Sequence, residues 1–520
     1  MTQSSKKYNA QYTLRVDEQY AVRGSGVRTQ DKYRSEFMRD RDRILYSKAF
    51  RRLAGKTQVF ITGVDIHMRT RLTHTLEVSQ IARAIARPLN LDVDLVEAIA
   101  LGHDLGHTPF GHAGERILHE IMTPQENHLL GEGCVLSLKR WPEGLPEEFG
   151  TFLGFKHNLQ SLVVASSLEK NYGELGLDLT NYTLCGMKDH SSLRYKPGKV
   201  SNPGSLGYYE PYIERFCKLP GGRDAWSLEG LLVAEADEIA QRHHDVEDAL
   251  LSGILTPQEL VELMEQHLPQ EMESLRLTRS ERNMLERPSK YSLSQFNALI
   301  SRILVNLMVT TLTETAAYQL NRFAAEEKVE VNGLERPINY KSIQDYRLQN
   351  RSDNRRMQLI FSYSRCSCVE ELVGGFRQRI NDLTKAIGMK LLRSTQILKA
   401  DREGQEVIAA LFRAYYADPR YLPNHCVFEF LGEFHRLRQL PELAPWFRSK
   451  VRLSPEKKLR EKAAQKGMGP VRSTFTRIIS NRKAMLPGEE LLLMRTICNH
   501  IACMTDDYAL QTLRELQKNI

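Results

Sequence analysis

Between positions 101 and 115 the chain reads LGHDLGHTPFGHAGE, which sets His103, Asp104, His107, His112 and Glu115 among four glycines. Imidazole nitrogens together with carboxylate oxygens suit a divalent cation of intermediate hardness, and an imidazole titrating near neutrality suits proton transfer. On a surface loop, water would satisfy each of these groups separately, and clustering them would add little to folding. The segment therefore points to an ion, a proton carrier or both. Upstream stands His74, and far downstream Asp237 lies within EADEIAQRHHDVEDA. Separations of 29 and 133 residues from the His103-Asp104 pair make sense only if distant helices converge on one cation. Taken singly, His74 or a His-Asp dipeptide reads more simply as a packed or solvated group; the metal reading rests on the whole pattern.

Helical periodicity dominates the segments that must position these residues. From His74 to Leu89, the apolar residues Val78, Ile81, Ile85 and Leu89 recur every three or four positions, so they share one helix face. Asp92 or Asp94 caps the next helix, whose Leu95, Val96, Ile99 and Ala100 lead into His103. Thr108-Pro109 and the glycines at 102, 106, 111 and 114 impose a compact turn before AGERILHEIM resumes a helical pattern. A long helix is expected over 231–255, with Val233, Ala236, Ala240, Val246 and Leu250 inward. Strand signals are few: VEVNGLERPI (329–338) reads as a hairpin around Asn-Gly, and GKTQVFITGVDI as a short β excursion. Loops are expected at 141–150, 196–207 and 452–472. The alternating RDRDR of 39–43 reads as a salt-bridged helix.

The 520 residues are 41% hydrophobic, enough for a large core, and the net charge of +8 permits an anionic ligand without requiring one. From Lys450 to Lys483 eleven lysines and arginines face two glutamates, a one-sided basic segment that includes Phe475 and suits either solvent or a polyanion. The eight cysteines form no CxxC pair and are read as reduced thiols of a cytoplasmic protein. No signal-peptide core opens the chain and no run approaches about 20 apolar residues, so no membrane span is expected.

The pattern H…HD…D resembles the HD-domain phosphohydrolases and, within them, the deoxynucleoside triphosphate triphosphohydrolases, or dGTPases. The resemblance is carried by RSEFMRDRDRILYSKAFRRLAGKTQVF (34–60), TRLTH (70–74), GHDLGHTPFGHAGE (102–115), EADEIAQRHHDVEDA (235–249) and CMTDDYAL (503–510). It implies an all-α, multi-helical HD-domain phosphohydrolase fold with minor β-hairpins. The organisation it suggests is an N-terminal arm (1–33), a catalytic core (34–265) and a helical C-terminal region (266–520) packed on that core, with the basic segment at 450–483.

The resemblance also implies chemistry. His74, His103, Asp104 and Asp237 would ligate one divalent metal, Mn2+, Mg2+ or another transition ion. Water would attack the α-phosphorus of a deoxynucleoside triphosphate, dGTP among them, releasing deoxynucleoside and inorganic triphosphate. His112 would protonate the leaving 5′-oxygen, oriented by Glu115 three residues on, and His107 would contact phosphate or support the turn. Arg71 would contact phosphate, Gln58 the sugar, and Asp245 the sugar 3′-hydroxyl. Relatives often carry tyrosine where this chain has Gln241, and the blocks FKHNLQSL and TLCGMKDHSS match the family only in part, leaving Asn158, Gln160, Lys188 and His190 as candidates for a base pocket. The implied partners are the dNTP substrate, further copies of the chain in a homo-oligomer, hexameric rings among the forms allowed, and a regulatory nucleotide or single-stranded DNA. Two alternatives stand beside this reading: an HD phosphohydrolase for nucleoside monophosphates or signalling nucleotides, and a nucleic-acid-binding regulator with a structural metal.

Overall fold

The computed structural model describes residues 15–123 except 17, 29–30 and 59–68; 154–190; 209–331 except 220–221, 223 and 327–328; 334–336; and 375–518 except 393, 441–442, 449–450, 452 and 481–484. Among the described residues the elements are almost all helical. In chain order they are α1 (Glu36–Leu45), α2 (Lys48–Arg52), α3 (Arg71–Ala86), α4 (Val93–Gly102), α5 (Gly111–Ile121), α6 (His157–Val163), α7 (Asn181–Asp189), α8 (Glu210–Phe216), α9 (Leu228–Leu251), α10 (Pro257–His267), α11 (Pro269–Ser274), α12 (Arg279–Glu286) and α13 (Leu293–Glu326). After these come α14 (Phe376–Leu392), α15 (Thr395–Ala417), α16 (Asn424–Leu437), α17 (Glu456–Lys466), α18 (Gly469–Ile479), α19 (Pro487–Ala502) and α20 (Asp506–Lys518). The strands β1 (Val329–Val331) and β2 (Leu334–Arg336) pair antiparallel with Val331 opposite Leu334, as the Asn-Gly signal predicts.

Local chemistry sets the helix starts that matter. The Thr70 hydroxyl accepts from the Thr73 amide to begin α3, and Asp92, not Asp94, caps α4 by accepting from Leu95 N at 2.9 Å. Ser227 caps α9 through the Gly230 amide at 3.1 Å, and all five residues expected inside that helix are buried. In α1 the charges are indeed paired: Arg41 with Asp42 and Glu97, Arg43 with Asp178, and Asp40, fully buried, with Arg23. The expected loop at 452–472 is corrected: α17 and the start of α18 occupy it. EKKLREKAAQK is made of strong helix formers, and Glu456 pairs with Arg460 one turn on at 2.7 Å. The expected loops at 141–150 and 196–207, and most of GKTQVFITGVDI, lie outside the described residues.

Two apolar cores organise these helices. The first joins α1, α3, α4, α7 and α9 to α10, α13 and α14, drawing on residues from Val16 to Ile397. The second joins α5 and the inner side of α6 to α15, α16, α18, α19 and α20. Helix α13 is, among the described residues, the one helix long and apolar enough to cross a membrane; its Phe296, Ile300, Leu304, Met308 and Leu312 are spent in the first core. Five cysteines, 185, 217, 426, 498 and 503, are free thiols, and the other three lie outside the described residues. The turn 103–110 is where the chain passes between cores: Leu105 belongs to the first and Phe110 to the second.

Candidate metal centre

Helix α3 packs against both α4 and α9, and this three-helix contact brings His74, His103, Asp104 and Asp237 together. His74 Nε2 lies 3.0 Å from Asp237 Oδ1, and His103 Nε2 lies 3.6 Å from Asp104 Oδ1 and 3.8 Å from Asp237 Oδ1. The other oxygen of Asp104, Oδ2, accepts from Arg71 Nη1 at 2.7 Å. Burial alone would raise both carboxyls, but the neighbouring His103, Arg71, His107 and His74 hold Asp104 well below the usual carboxylate range. A His74 hydrogen bond and the His103 charge do the same for Asp237. Both acids are therefore anionic.

The hydrogen bonds assign the imidazole tautomers. His103 donates Nδ1–H to Ala100 O at 2.6 Å, so Nε2 is the nitrogen turned inward; it is buried and has no hydrogen-bond partner among the described residues. His244 bonds Glu77 through Nε2, and His74 Nδ1 meets His244 Nδ1 at 3.3 Å. Burial drives His244 down to about 3 and keeps it neutral, while its bond to Glu77 outweighs burial and takes that carboxyl down to about 2. The consistent assignment is His244 Nε2–H to the Glu77 carboxylate and His74 Nδ1–H to His244 Nδ1. That turns His74 Nε2 toward Asp237 Oδ1 at 3.0 Å, where the proton of their hydrogen bond or a cation in its place holds the two together. Two imidazole nitrogens and two carboxylates thus face inward. The donor set fits a divalent ion, with two histidine nitrogens oriented from outside by a carbonyl and by the Glu77–His244 chain.

A second group stands on the other side of the turn. Glu115 Oε2 accepts from His157 Nδ1 at 2.7 Å and lies 3.3 Å from His112 Nδ1, while Lys156 Nζ is 3.4 Å from Oε1. Burial would raise Glu115 and lower His157; their mutual charge and hydrogen bond win in both, so Glu115 is depressed and His157 raised. The His107 ring stacks on His157 with centroids 4.5 Å apart, and its buried Nε2 has no partner among the described residues. Burial, then the Arg71 and His157 charges, keep His107 neutral. Of the histidines in this group His112 is the one open to solvent, with 54% of its side chain exposed.

The turn that joins the groups is held from the far end of the chain. Phe110 and Gly111 both have φ of 57°, and for Phe110 that left-handed conformation costs on the order of 1–2 kcal/mol. Asp506 offsets the cost: its Oδ1 accepts from Phe110 N at 3.0 Å and its Oδ2 from Thr57 N at 3.0 Å. Lys56, 1% exposed, donates to the carbonyls of His107 and Ala502 and is lowered to about 7 by burial. Gly106 allows α6 to approach: a Cβ there would stand 2.1 Å from Ser161 N. The sequence block at 503–510 thus braces the metal turn from outside.

Other sequence candidates fall as follows. Arg71 is at the site but committed to Asp104 through Nη1, with Nε buried and unpartnered among the described residues. Gln58 presents a buried Oε1, unpartnered among the described residues, beside the turn, its carbonyl abutting Gly111. Asp245 sits on α9 against Glu238 and Asp248, raised to about 7 by burial and then by Glu238; His244, seven residues past Asp237, is the one that returns to the quartet's face. Asn158 and Gln160 serve packing, bonding Lys188 O at 3.0 Å and Asn499 Oδ1 at 3.1 Å, and Lys188 pairs with Asp189. His190 joins the centre, its ring 4.9 Å from that of His103 and its Nε2 buried and unpartnered among the described residues. Sequence reasoning missed His157, His244 and Glu77. Helical spacing offered a signal for two of them: Glu77 is three residues from His74 and His244 seven from Asp237. His157 gave none, since its partner lies 42 residues away.

Comparison with known proteins places these residues in context. The HD domain family model matches residues 71–133. A deoxyguanosinetriphosphate triphosphohydrolase-like protein of Rhizobium leguminosarum bv. trifolii is 33% identical over 395 residues, covering 75% of this chain and 80% of the relative. One of Bordetella pertussis is 33% identical over 393 residues, covering 75% and 81%. One of Rhizobium etli reaches 44% identity over 233 residues, 44% of this chain and 50% of the relative.

Proposed function

Because the chain belongs to the HD-domain deoxyguanosinetriphosphate triphosphohydrolase-like family, we propose that it hydrolyses deoxynucleoside triphosphates, dGTP among them, to deoxynucleoside and inorganic triphosphate. The single observation that carries the reading is the buried, unpartnered His103 Nε2 within 4 Å of two anionic carboxylates, a donor arrangement made for a cation. His74, His103, Asp104 and Asp237 would hold a divalent metal, Mn2+ or Mg2+. Bound there, the ion supplies Lewis acidity toward a phosphate oxygen and an incoming water.

The chain's own residues then divide the remaining work. Arg71, with a buried Nε–H that has no partner among the described residues, presents a donor to the triphosphate, and neutral His107 supports the turn through its contact with Thr108 O. His112 is the general acid: exposed toward solvent and oriented by Glu115, it reaches a leaving 5′-oxygen and gives it the proton held on its ring. His157 shares Glu115 and fixes that carboxylate. Gln58 takes the sugar edge and Asp245 the 3′-hydroxyl. Assembly as a homo-oligomer, location in the cytoplasm and response to a second nucleotide or to single-stranded DNA belong to the same proposal.

Incubation of the purified chain with each deoxynucleotide, singly and mixed, under Mn2+ and then Mg2+, tests it. Deoxynucleoside plus triphosphate is the expected product pair. Orthophosphate or a nucleoside monophosphate would overturn the reaction, and activity confined to mixtures would identify nucleotide regulation.

A further inference from the structure

We propose that the C-terminal helices carry a second metal centre, a thiophilic divalent ion such as zinc held by His425, Cys426 and His500. One ligand atom from each of the three lies within 4.8 Å of the other two. His425 and Cys426 stand on the first turn of α16, His500 near the end of α19, and these helices pack together in the second core. The two imidazole rings are 5.4 Å apart, inclined at 61°. Two imidazoles with a thiolate select zinc-like ions, whereas the oxygen-rich quartet of the first centre suits manganese or magnesium.

The surroundings fit a ligated ion. His500 Nε2 lies 3.3 Å from the Tyr415 hydroxyl, an outer partner of the kind that orients a ligating histidine and leaves Nδ1 for an ion. Burial lowers both imidazoles, His500 to about 3 with His425 adding to it, and His425 with help from the Arg460, Arg52 and Lys48 charges. Both rings are thus neutral and able to donate lone pairs. Two of those cations are already matched, Arg52 by Glu169 at 3.0 Å and Arg460 by Glu456 at 2.7 Å, which removes most of their opposition to an ion. Burial, then Glu429, keep Cys426 a thiol, so binding forms a metal–sulfur bond and releases the thiol proton to solvent. His425 and His500 line a cavity of about 760 Å3 together with Glu429 and Cys503, which gives that proton a way out and leaves a fourth coordination position to water.

The full-length chain, stripped of metal and titrated with cobalt(II), reads this site separately from the catalytic one, because the quartet contains no sulfur. A thiolate-to-cobalt charge-transfer band in the near ultraviolet is expected, saturating at one ion per chain and bleached by zinc. Cys426→Ser should abolish the band. His425→Ala removes an exposed ring, leaves the core intact and should weaken cobalt binding about tenfold or more. No band in the unmodified chain, or a band that persists in Cys426→Ser, overturns the proposal. Hydrolysis of nucleotides with the band absent would overturn this site and leave the first untouched.

Discussion

The two histidine–carboxylate groups on either side of the 103–110 turn use the same residue types and arrive at opposite electrostatic states. Around His103, two anionic carboxylates, Asp104 and Asp237, stand against two inward imidazole nitrogens, and His103 Nε2 has no partner among the described residues. Around Glu115, imidazoles outnumber carboxylates: one acid serves His157 and His112, and His157 is pushed toward its charged form. The first group is assembled by helices of the first core and the second by α5 and α6 at the second. The difference teaches that ligand type alone does not assign a role. An excess of inward carboxylates suits a cation, and an excess of protonatable rings suits a proton.

The largest expected effect breaks the first side. Asp104→Ala removes one of two inward carboxylates and strands Arg71, so bound metal should be lost and turnover should fall to background. Elemental analysis beside a product assay checks both, and a variant that keeps stoichiometric metal would remove Asp104 from the ligand set. His112→Ala breaks the other side. Turnover should drop about 10²- to 10⁴-fold with metal content unchanged, because in the proposed mechanism the ring donates a proton and stands outside the ligand set. Unchanged turnover would take His112 out of the mechanism and turn attention to His157.

Smaller effects sharpen the contrast. Glu77→Gln leaves every ligand in place but weakens the chain that holds His244 and, through it, the His74 tautomer. Metal affinity should fall about 10- to 100-fold while turnover at saturating metal changes little. Equal losses in both would mean that Glu77 acts on folding, not on ligand orientation.

These groups were unequally legible in the sequence. The quartet was readable from the whole H…HD…D pattern, with helix periodicity placing His74 and Asp237 on helices and His103-Asp104 at the end of another. The all-helical fold followed from the same periodicity, and the Asn-Gly hairpin from turn chemistry. The outer partners were not readable. His244 and Glu77 lie in the helices already identified, but which charged residue turns inward depends on how α3 and α9 pack. His244, seven residues past Asp237, returns to its direction, while Asp245 stands about 80° beyond it. His157 escaped because its meeting with Glu115 is made by α6 docking on the turn, through a gap at Gly106 that a single sequence cannot reveal. The helix at 456–466 was missed because its basic, apolar-poor composition resembles a solvated loop; Phe475, in the same basic segment, is 1% exposed and packs against Phe430.

The smallest effect concerns pH, and its sign separates the two groups again. His157 is raised above 6.5 in the folded chain, so its pairing with Glu115 contributes fully below 6.5 and is lost as pH climbs through the higher folded value. Glu115 is depressed below 4.5, so its contribution is present above 4.5 and is lost as pH falls through the lower folded value. Between those limits the pair is at full strength. In metal-stripped protein, the melting difference between the unmodified chain and Glu115→Gln should therefore be widest from pH 5 to 6.5. It should narrow above neutrality, with a change on the order of 1–2 °C. A difference that stays constant, or widens, as pH rises would mean that Glu115 meets a neutral His157, and the proton excess on that side of the turn would then rest on His112 alone.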